Sequence, residues 1–108
     1  MPERPEELQV EPQHWAIVQA ILARHLPGVE VWAFGSRTKG TAKPHSDLDL
    51  VVINQQPLSL QLQAALADAF SESDLPWRVD LVDWATTQES FRKLIAQHKL
   101  VVQQSDKS

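Results

Sequence analysis

The chain has 108 residues, of which 43% are hydrophobic and 22% charged, with a formal net charge of −4 and no cysteine. These values predict one globular domain over 1–108 with loose ends at 1–10 and 103–108, and they exclude disulfides and thiolate chemistry. No apolar stretch is long enough to span a bilayer, and the charged N-terminus is unlike a signal peptide. We therefore expect a cytoplasmic protein without membrane contact.

Hydrophobic periodicity predicts helices alternating with strands. The predicted elements are, in chain order, a helix over 12–26, a strand over 30–35, a strand over 48–53, a helix over 59–71, a strand over 77–83 and a helix over 86–98. Pro27-Gly28 ends the first helix, and a capping box of Thr86 with Glu89 opens the last one. This order predicts a small mixed β-sheet flanked by helices, of the α/β or α+β class.

Two carboxylates stand where the second predicted strand begins. Side chains alternate along a strand, so Asp47 and Asp49 share one face and lie about 6.6 Å apart along the backbone. Such a pair is costly to bury unless a cation lies between the two charges, and Mg²⁺ or Mn²⁺ takes oxygen ligands of this kind. Solvated aspartates capping a loop are the competing interpretation, which explains one of these residues more easily than both.

The first predicted strand breaks at Gly35-Ser36 into a tight turn or short helix. Glycine permits close approach of the backbone, and the exposed N–H groups together with the Ser36 hydroxyl can bind a phosphate. The loop that follows carries Arg37, Lys39 and Lys43 but no acidic residue before Asp47. Arg37 is nearest the turn and is the predicted phosphate contact, with a solvated basic loop as the alternative.

The pair Gly35-Ser36, followed after ten residues by Asp47-Leu48-Asp49, resembles the signature of the DNA polymerase β nucleotidyltransferase superfamily. Residues 35–50 closely resemble its minimal nucleotidyltransferase (MNT) branch, and the similarity covers about 15–98. The resemblance implies a nucleotidyltransferase core without the usual second domain. It also implies a third carboxylate on a neighbouring strand, a position that Asp80 matches. Asp83 is the alternative, although strand alternation places it on the face opposite Asp80, at a strand end where capping aspartates are common.

The function implied by the resemblance is Mg²⁺-dependent transfer of AMP from ATP to a hydroxyl group. Asp47, Asp49 and Asp80 would be the catalytic residues and would hold the metal, with two ions expected, while Gly35, Ser36 and Arg37 would bind the nucleotide. The MNT branch is similar to antitoxins that pair with HEPN-domain ribonuclease toxins, so the implied acceptor is a tyrosine of such a toxin. A chain of this length has few residues with which to enclose a nucleotide base and an acceptor. We therefore expect a homo- or hetero-oligomer, in which another chain completes the site.

Two other functions stay open. The chain could neutralise a partner by occlusion with a vestigial metal site, or it could be a transferase acting on a small-molecule hydroxyl. The negative net charge disfavours DNA as a partner, because phosphate contacts need basic residues. His45, beside the carboxylates, is a candidate substrate contact, and Trp77 and Trp84 at strand ends are candidates for an interface.

Overall fold

A computed structural model describes residues 8–40, 43 and 46–105. The elements of these residues are, in chain order, α1 (Pro12–His25), β1 (Glu30–Phe34), α2 (Ser36–Lys39), β2 (Leu48–Ile53), α3 (Leu60–Ser71), β3 (Val79–Asp83), a 3₁₀ turn (Trp84–Thr86), α4 (Glu89–Gln97) and β4 (Leu100–Gln103). Every predicted helix and strand is present. His45 and the outer parts of the predicted loose ends, 1–7 and 106–108, lie outside the described residues.

The four strands form one mixed sheet in the order β3-β2-β1-β4. Strand β1 runs antiparallel to both β2 and β4, whereas β2 and β3 are parallel. A parallel pair needs a crossover connection, and α3 supplies it. The predicted fold class, a small mixed sheet flanked by helices, is confirmed.

The core lies on one face of the sheet. Helices α1 and α3 pack against each other and cover the alternate strand residues Val31, Ala33, Leu50 and Val52, which are fully buried. Alternation turns the intervening residues, including Asp49, to the other face. Helix α4 lies on that second face, because its Phe91 ring meets the ring of Phe34 edge to face, with centroids 5.8 Å apart. None of the helices described crosses a membrane, since each is too short or too polar to do so.

Both predicted loose ends were wrong in their inner parts. The charge and proline content of the N-terminal segment suggested disorder. Its apolar side chains Leu8 and Val10, two residues apart, are nevertheless buried in the core. Gln103 ends strand β4, which was not predicted and which pairs with β1. The Gln103 side-chain amide donates to the carbonyls of Leu26 and Val29, at 2.7 and 2.8 Å.

The predicted capping box at Thr86 was also wrong. The Thr86 hydroxyl donates to the carbonyl of Asp83, at 3.2 Å, and α4 begins only at Glu89, after Gln88. A 3₁₀ turn occupies the intervening stretch, and the Asp83 side chain caps it by accepting from the Ala85 N–H. Local capping by Asp83 thus outcompetes the sequence pattern for the start of α4.

Candidate active site

Three carboxylates lie near one another at the second face of the sheet. The register of the parallel pair places Asp49 of β2 directly beside Asp80 of β3. Asp47 lies two residues before Asp49, at the end of the loop that enters β2, and all three residues are half-buried. The structure therefore brings together the three acidic residues that the sequence singled out.

The pKa of the Asp49 carboxyl is affected by burial and by the two neighbouring carboxylates. Burial raises the pKa of the Asp49 carboxyl, and the negative charges of Asp80 and Asp47 raise the pKa further. A folded state that holds a proton more tightly than the unfolded chain loses stability as pH rises from the ordinary pKa through the raised one. Without a cation, the carboxylate cluster is thus a destabilising element at neutral pH.

We expect Asp49→Asn to raise the melting temperature of the metal-free protein at neutral pH. Asparagine removes the charge at nearly constant shape, and the difference from wild type should shrink toward about pH 4, where about half of an Asp side chain population is protonated even in the unfolded chain. Melting curves in the presence of a chelator between pH 4 and 8 measure it. Asp68→Asn, on the exposed side of α3, is the control for removing one negative charge outside the cluster. If the melting temperature of Asp49→Asn exceeded that of wild type by the same amount at all pH values, burial and charge repulsion of the Asp49 carboxylate would not be the cause of the increase.

Gly35 lies directly against this cluster. Its backbone has φ 84° and ψ −157°, which is a conformation open to glycine and strained for other residues. A Cβ atom at Gly35 would overlap the Oδ2 atom of Asp49 and stand 3.4 Å from its Cγ. Glycine is required here both for the turn and for the close approach of the turn to the carboxylate.

The turn continues into α2, which begins at Ser36. Thr38 closes the turn from the other side, because its N–H and its hydroxyl both donate to the Gly35 carbonyl, at 3.0 and 2.7 Å. Ser36, the first residue of α2, is half-buried. The predicted phosphate-binding residue Gly35 is thus adjacent to the predicted metal ligand Asp49, and Ser36 follows Gly35 directly in the chain.

Arg37 is placed differently from Lys39 and Lys43. The two lysines are exposed, whereas Arg37 is only 6% exposed and donates to main-chain carbonyls, from Nε and Nη2 to Ser46 and from Nη1 to Gln9. Burial lowers the pKa of Arg37, and the charge of Asp47 partly offsets this effect. Arginine nevertheless stays protonated in proteins. Contact between Arg37 and phosphate remains a prediction, while its contacts with the main chain are a structural role that sequence reasoning missed.

Asp83 is directed away from the cluster. One of its carboxylate oxygens accepts from the Leu58 N–H at 2.7 Å, and the other accepts from the Ala85 N–H at 3.3 Å. It lies beside Val52 in the sheet register, a residue of the core face. These contacts are those of a capping aspartate and favour Asp80 as the third carboxylate.

The chemistry of the donors fits a divalent cation. Three half-buried carboxylates repel one another, as the raised pKa of Asp49 indicates, and hard cations such as Mg²⁺ relieve such repulsion by taking carboxylate oxygens as ligands. Among the residues described, no three acidic or histidine side chains are arranged closely enough to form a metal-binding group. The charge of the site therefore suits a metal, and its side chains would have to draw together to bind one.

Two aromatic residues that were not predicted line the same site. Phe34 is the neighbour of Asp49 on the β1 side, and Phe91 of α4 packs on its ring while remaining 40% exposed. Strand alternation indicates the face of Phe34, but the position of α4 depends on the fold. Trp84 contacts Trp32 edge to face, and Trp77 receives the Arg37 guanidinium, so both interface candidates make contacts within the chain.

The fold, the glycine turn and the adjacent carboxylates define a nucleotidyltransferase core. The sequence model of the family "Polymerase beta, Nucleotidyltransferase" matches residues 18–108, and the chain belongs to this family. The chain is 51% identical over 102 residues to a Haemophilus influenzae protein named "Probable protein adenylyltransferase MntA", covering 94% of this chain and 90% of that protein.

Solved structures share the fold at lower identity. A chain of a toxin–antitoxin crystal structure with AMP-PNP is 22% identical with a TM-score of 0.70, and the match covers 85% of this chain and 74% of that one. A chain from a complex of tri-AMPylated Shewanella oneidensis HEPN toxin with MNT antitoxin is 19% identical with a TM-score of 0.64, covering 86% and 71%.

Proposed function

We propose that this protein is a Mg²⁺-dependent adenylyltransferase that moves AMP from ATP to a tyrosine hydroxyl of a HEPN-type toxin and thereby acts as its antitoxin. The observation that carries the proposal is the close approach of the Gly35 turn to the Asp49 carboxylate, together with the position of Asp80 beside Asp49 in the sheet. This arrangement sets a phosphate-binding turn against metal-binding carboxylates. The name of the Haemophilus influenzae relative supports a protein as the acceptor.

Each part of the site has a role in the transfer. Asp47, Asp49 and Asp80 would hold divalent ions, which when bound neutralise phosphate charge and ease ionisation of the acceptor. Gly35 and Ser36 fix the outer phosphates, so that the acceptor oxygen attacks the α-phosphorus in line with the leaving group. The bond from the α-phosphorus to the bridging oxygen breaks and pyrophosphate leaves. Asp80, half-exposed beside Asp49, accepts or orients the proton of the hydroxyl.

The partly open surroundings of the carboxylates support a protein acceptor. Helices α1 and α3 cover only the core face, and on the other face the described wall near the carboxylates is the pair Phe34 and Phe91. A protein partner can enclose the rest of the carboxylate site, which a small acceptor is too small to do. The structural likeness to a chain that is bound to a tri-AMPylated toxin agrees with such an assembly. The reaction would then take place in the cytoplasm, where ATP and such a toxin meet.

The proposal is tested with the double variant Asp47→Asn/Asp49→Asn. The purified chain, a HEPN-type toxin, ATP and Mg²⁺ are incubated, and mass spectrometry of the toxin detects added AMP. Wild type should modify a tyrosine, and the double variant should still bind the toxin but add no AMP and no longer neutralise it. Neutralisation that persists in the double variant would favour occlusion. ATP consumption with a small hydroxyl acceptor alone would favour a small-molecule transferase.

A further inference from the structure

We propose that Arg37 is a positioning residue that holds Asp47 in place by clamping the main chain around it. The inference rests on the proposed function, in which Asp47 is a catalytic carboxylate, and gives Arg37 a role other than phosphate binding. Arg37 is only 6% exposed, and its guanidinium reaches the loop nine residues further along the chain.

The guanidinium grips the residue before Asp47. Nε and Nη2 both donate to the Ser46 carbonyl, at 3.0 and 2.7 Å. Ser46 is itself fixed by a reciprocal pair, because its N–H donates to the Lys43 carbonyl at 3.0 Å and its hydroxyl accepts from the Lys43 N–H at 2.8 Å. Two donors on one carbonyl set both the distance and the direction of the peptide that leads into Asp47.

An indirect link through Trp77 connects Arg37 to the residue after Asp47. The Leu48 N–H donates to the Arg78 carbonyl at 2.9 Å, which joins the start of β2 to the start of β3. The residue before Arg78 is Trp77, and the Arg37 guanidinium lies over its ring, 4.5 Å from the centroid. His14 of α1 meets the Trp77 ring edge to face, with centroids 5.8 Å apart. Arg37 therefore holds the chain before Asp47 directly, and it supports the chain after Asp47 indirectly, by packing on Trp77 beside the strand start that Leu48 binds.

Arg37 also ties this loop to the N-terminal segment. Nη1 donates to the Gln9 carbonyl at 2.7 Å, and the Gln9 N–H donates back to the Arg37 carbonyl at 2.9 Å. Neighbouring Leu8 and Val10 are anchored in the core. Because Arg37 directly follows Ser36, one residue links the phosphate-binding turn, the loop to Asp47 and the body of the domain. Planar, forked donors are needed for this, which lysine lacks.

Three variants separate the clamp from a phosphate contact. Arg37→Gln removes both the charge and the forked guanidinium donors, whereas Arg37→Lys keeps the charge and loses the forked donors. Lys39→Gln removes a charge from the exposed side of the same short helix. Hydrogen exchange of the metal-free protein is measured over 43–49. Exchange should rise about tenfold or more in both Arg37 variants, because charge-assisted hydrogen bonds are lost, and should stay unchanged in Lys39→Gln.

Kinetics then tests what the clamp does for the reaction. In both Arg37 variants we expect kcat to fall about 100-fold and the Mg²⁺ concentration for half-activation to rise, while KM for ATP at saturating Mg²⁺ changes less than about twofold, since misplacing a catalytic group affects the rate more than binding. A near-normal kcat in Arg37→Lys with a raised KM in Arg37→Gln would overturn the clamp in favour of a phosphate contact.

The exchange experiment stays informative if wild type transfers no AMP, since it needs neither substrate nor partner. In that case the proposed function fails while the clamp is still tested. If the Arg37 variants do not fold, Trp77→Leu replaces them, because it removes the stacking surface beneath the guanidinium. Raised exchange over 43–49 in Trp77→Leu supports the clamp, and exchange equal to wild type overturns it.

Discussion

Gly35→Ala is expected to lower the rate of AMP transfer about 100-fold. The added methyl group would overlap Oδ2 of Asp49, and the backbone at φ 84° would be strained. Either the turn or the carboxylate must shift, and a displacement of about 1 Å at a catalytic group costs about 100-fold in rate. The strained backbone should also lower the free energy of unfolding by about 1–3 kcal/mol. Transfer of AMP to the toxin, measured beside chemical denaturation, gives both quantities.

Gly40→Ala is the matched control. Gly40 ends α2 in the left-handed conformation at φ 74°, but apart from Gly40 and its two chain neighbours no atom of the described chain lies within 4 Å of the Cβ it would gain. The variant should lose about 1 kcal/mol of stability through the backbone alone and keep the transfer rate of wild type. Equal activity losses in the two variants would mean that strain, and not contact with Asp49, determines the effect of Gly35.

The local part of the site was predictable from the sequence. Asp47 and Asp49 share a face because strand alternation is a property of the backbone, and the break at Gly35 is visible as an abrupt end of an apolar run. The neighbouring position of Asp80 was implied by resemblance and agrees with the register of β2 and β3. These inferences needed only short-range geometry and a motif.

The contacts that were missed join distant parts of the chain. Strand β4 is four residues long and completes the sheet only by pairing with β1. Leu8 and Val10 enter a core formed by later elements, and Arg37 binds Gln9, Ser46 and Trp77. Periodicity cannot reveal such pairings, because tertiary contacts outweigh local preference when they form. Arg37 in particular looked like a phosphate ligand because only its position beside the turn was visible.

The acidic residues of β3 offer a final test of which carboxylate completes the site. Asp80→Asn should lower the rate of AMP transfer about 10²- to 10⁴-fold, the range typical of losing a group that handles the reacting proton. Binding of the toxin should be unchanged. The Arg78–Asp80 pair spans 3.9 Å, with Arg78 exposed and Asp80 half-exposed, so its loss should hardly alter stability.

Asp83→Asn removes one negative charge three residues further along β3. It should lower stability and leave the transfer rate unchanged, the reverse of Asp80→Asn. Its carboxylate accepts from the Leu58 and Ala85 N–H groups, and asparagine keeps only one of these acceptors, so we expect about 1 kcal/mol of lost stability. Its transfer rate per folded molecule should match wild type, because Asp83 lies away from Asp49. A large rate loss for Asp83→Asn with near-normal activity for Asp80→Asn would reverse the assignment. Both changes remove one negative charge from β3, so a difference between their transfer rates reports the position of the carboxylate and not the loss of charge.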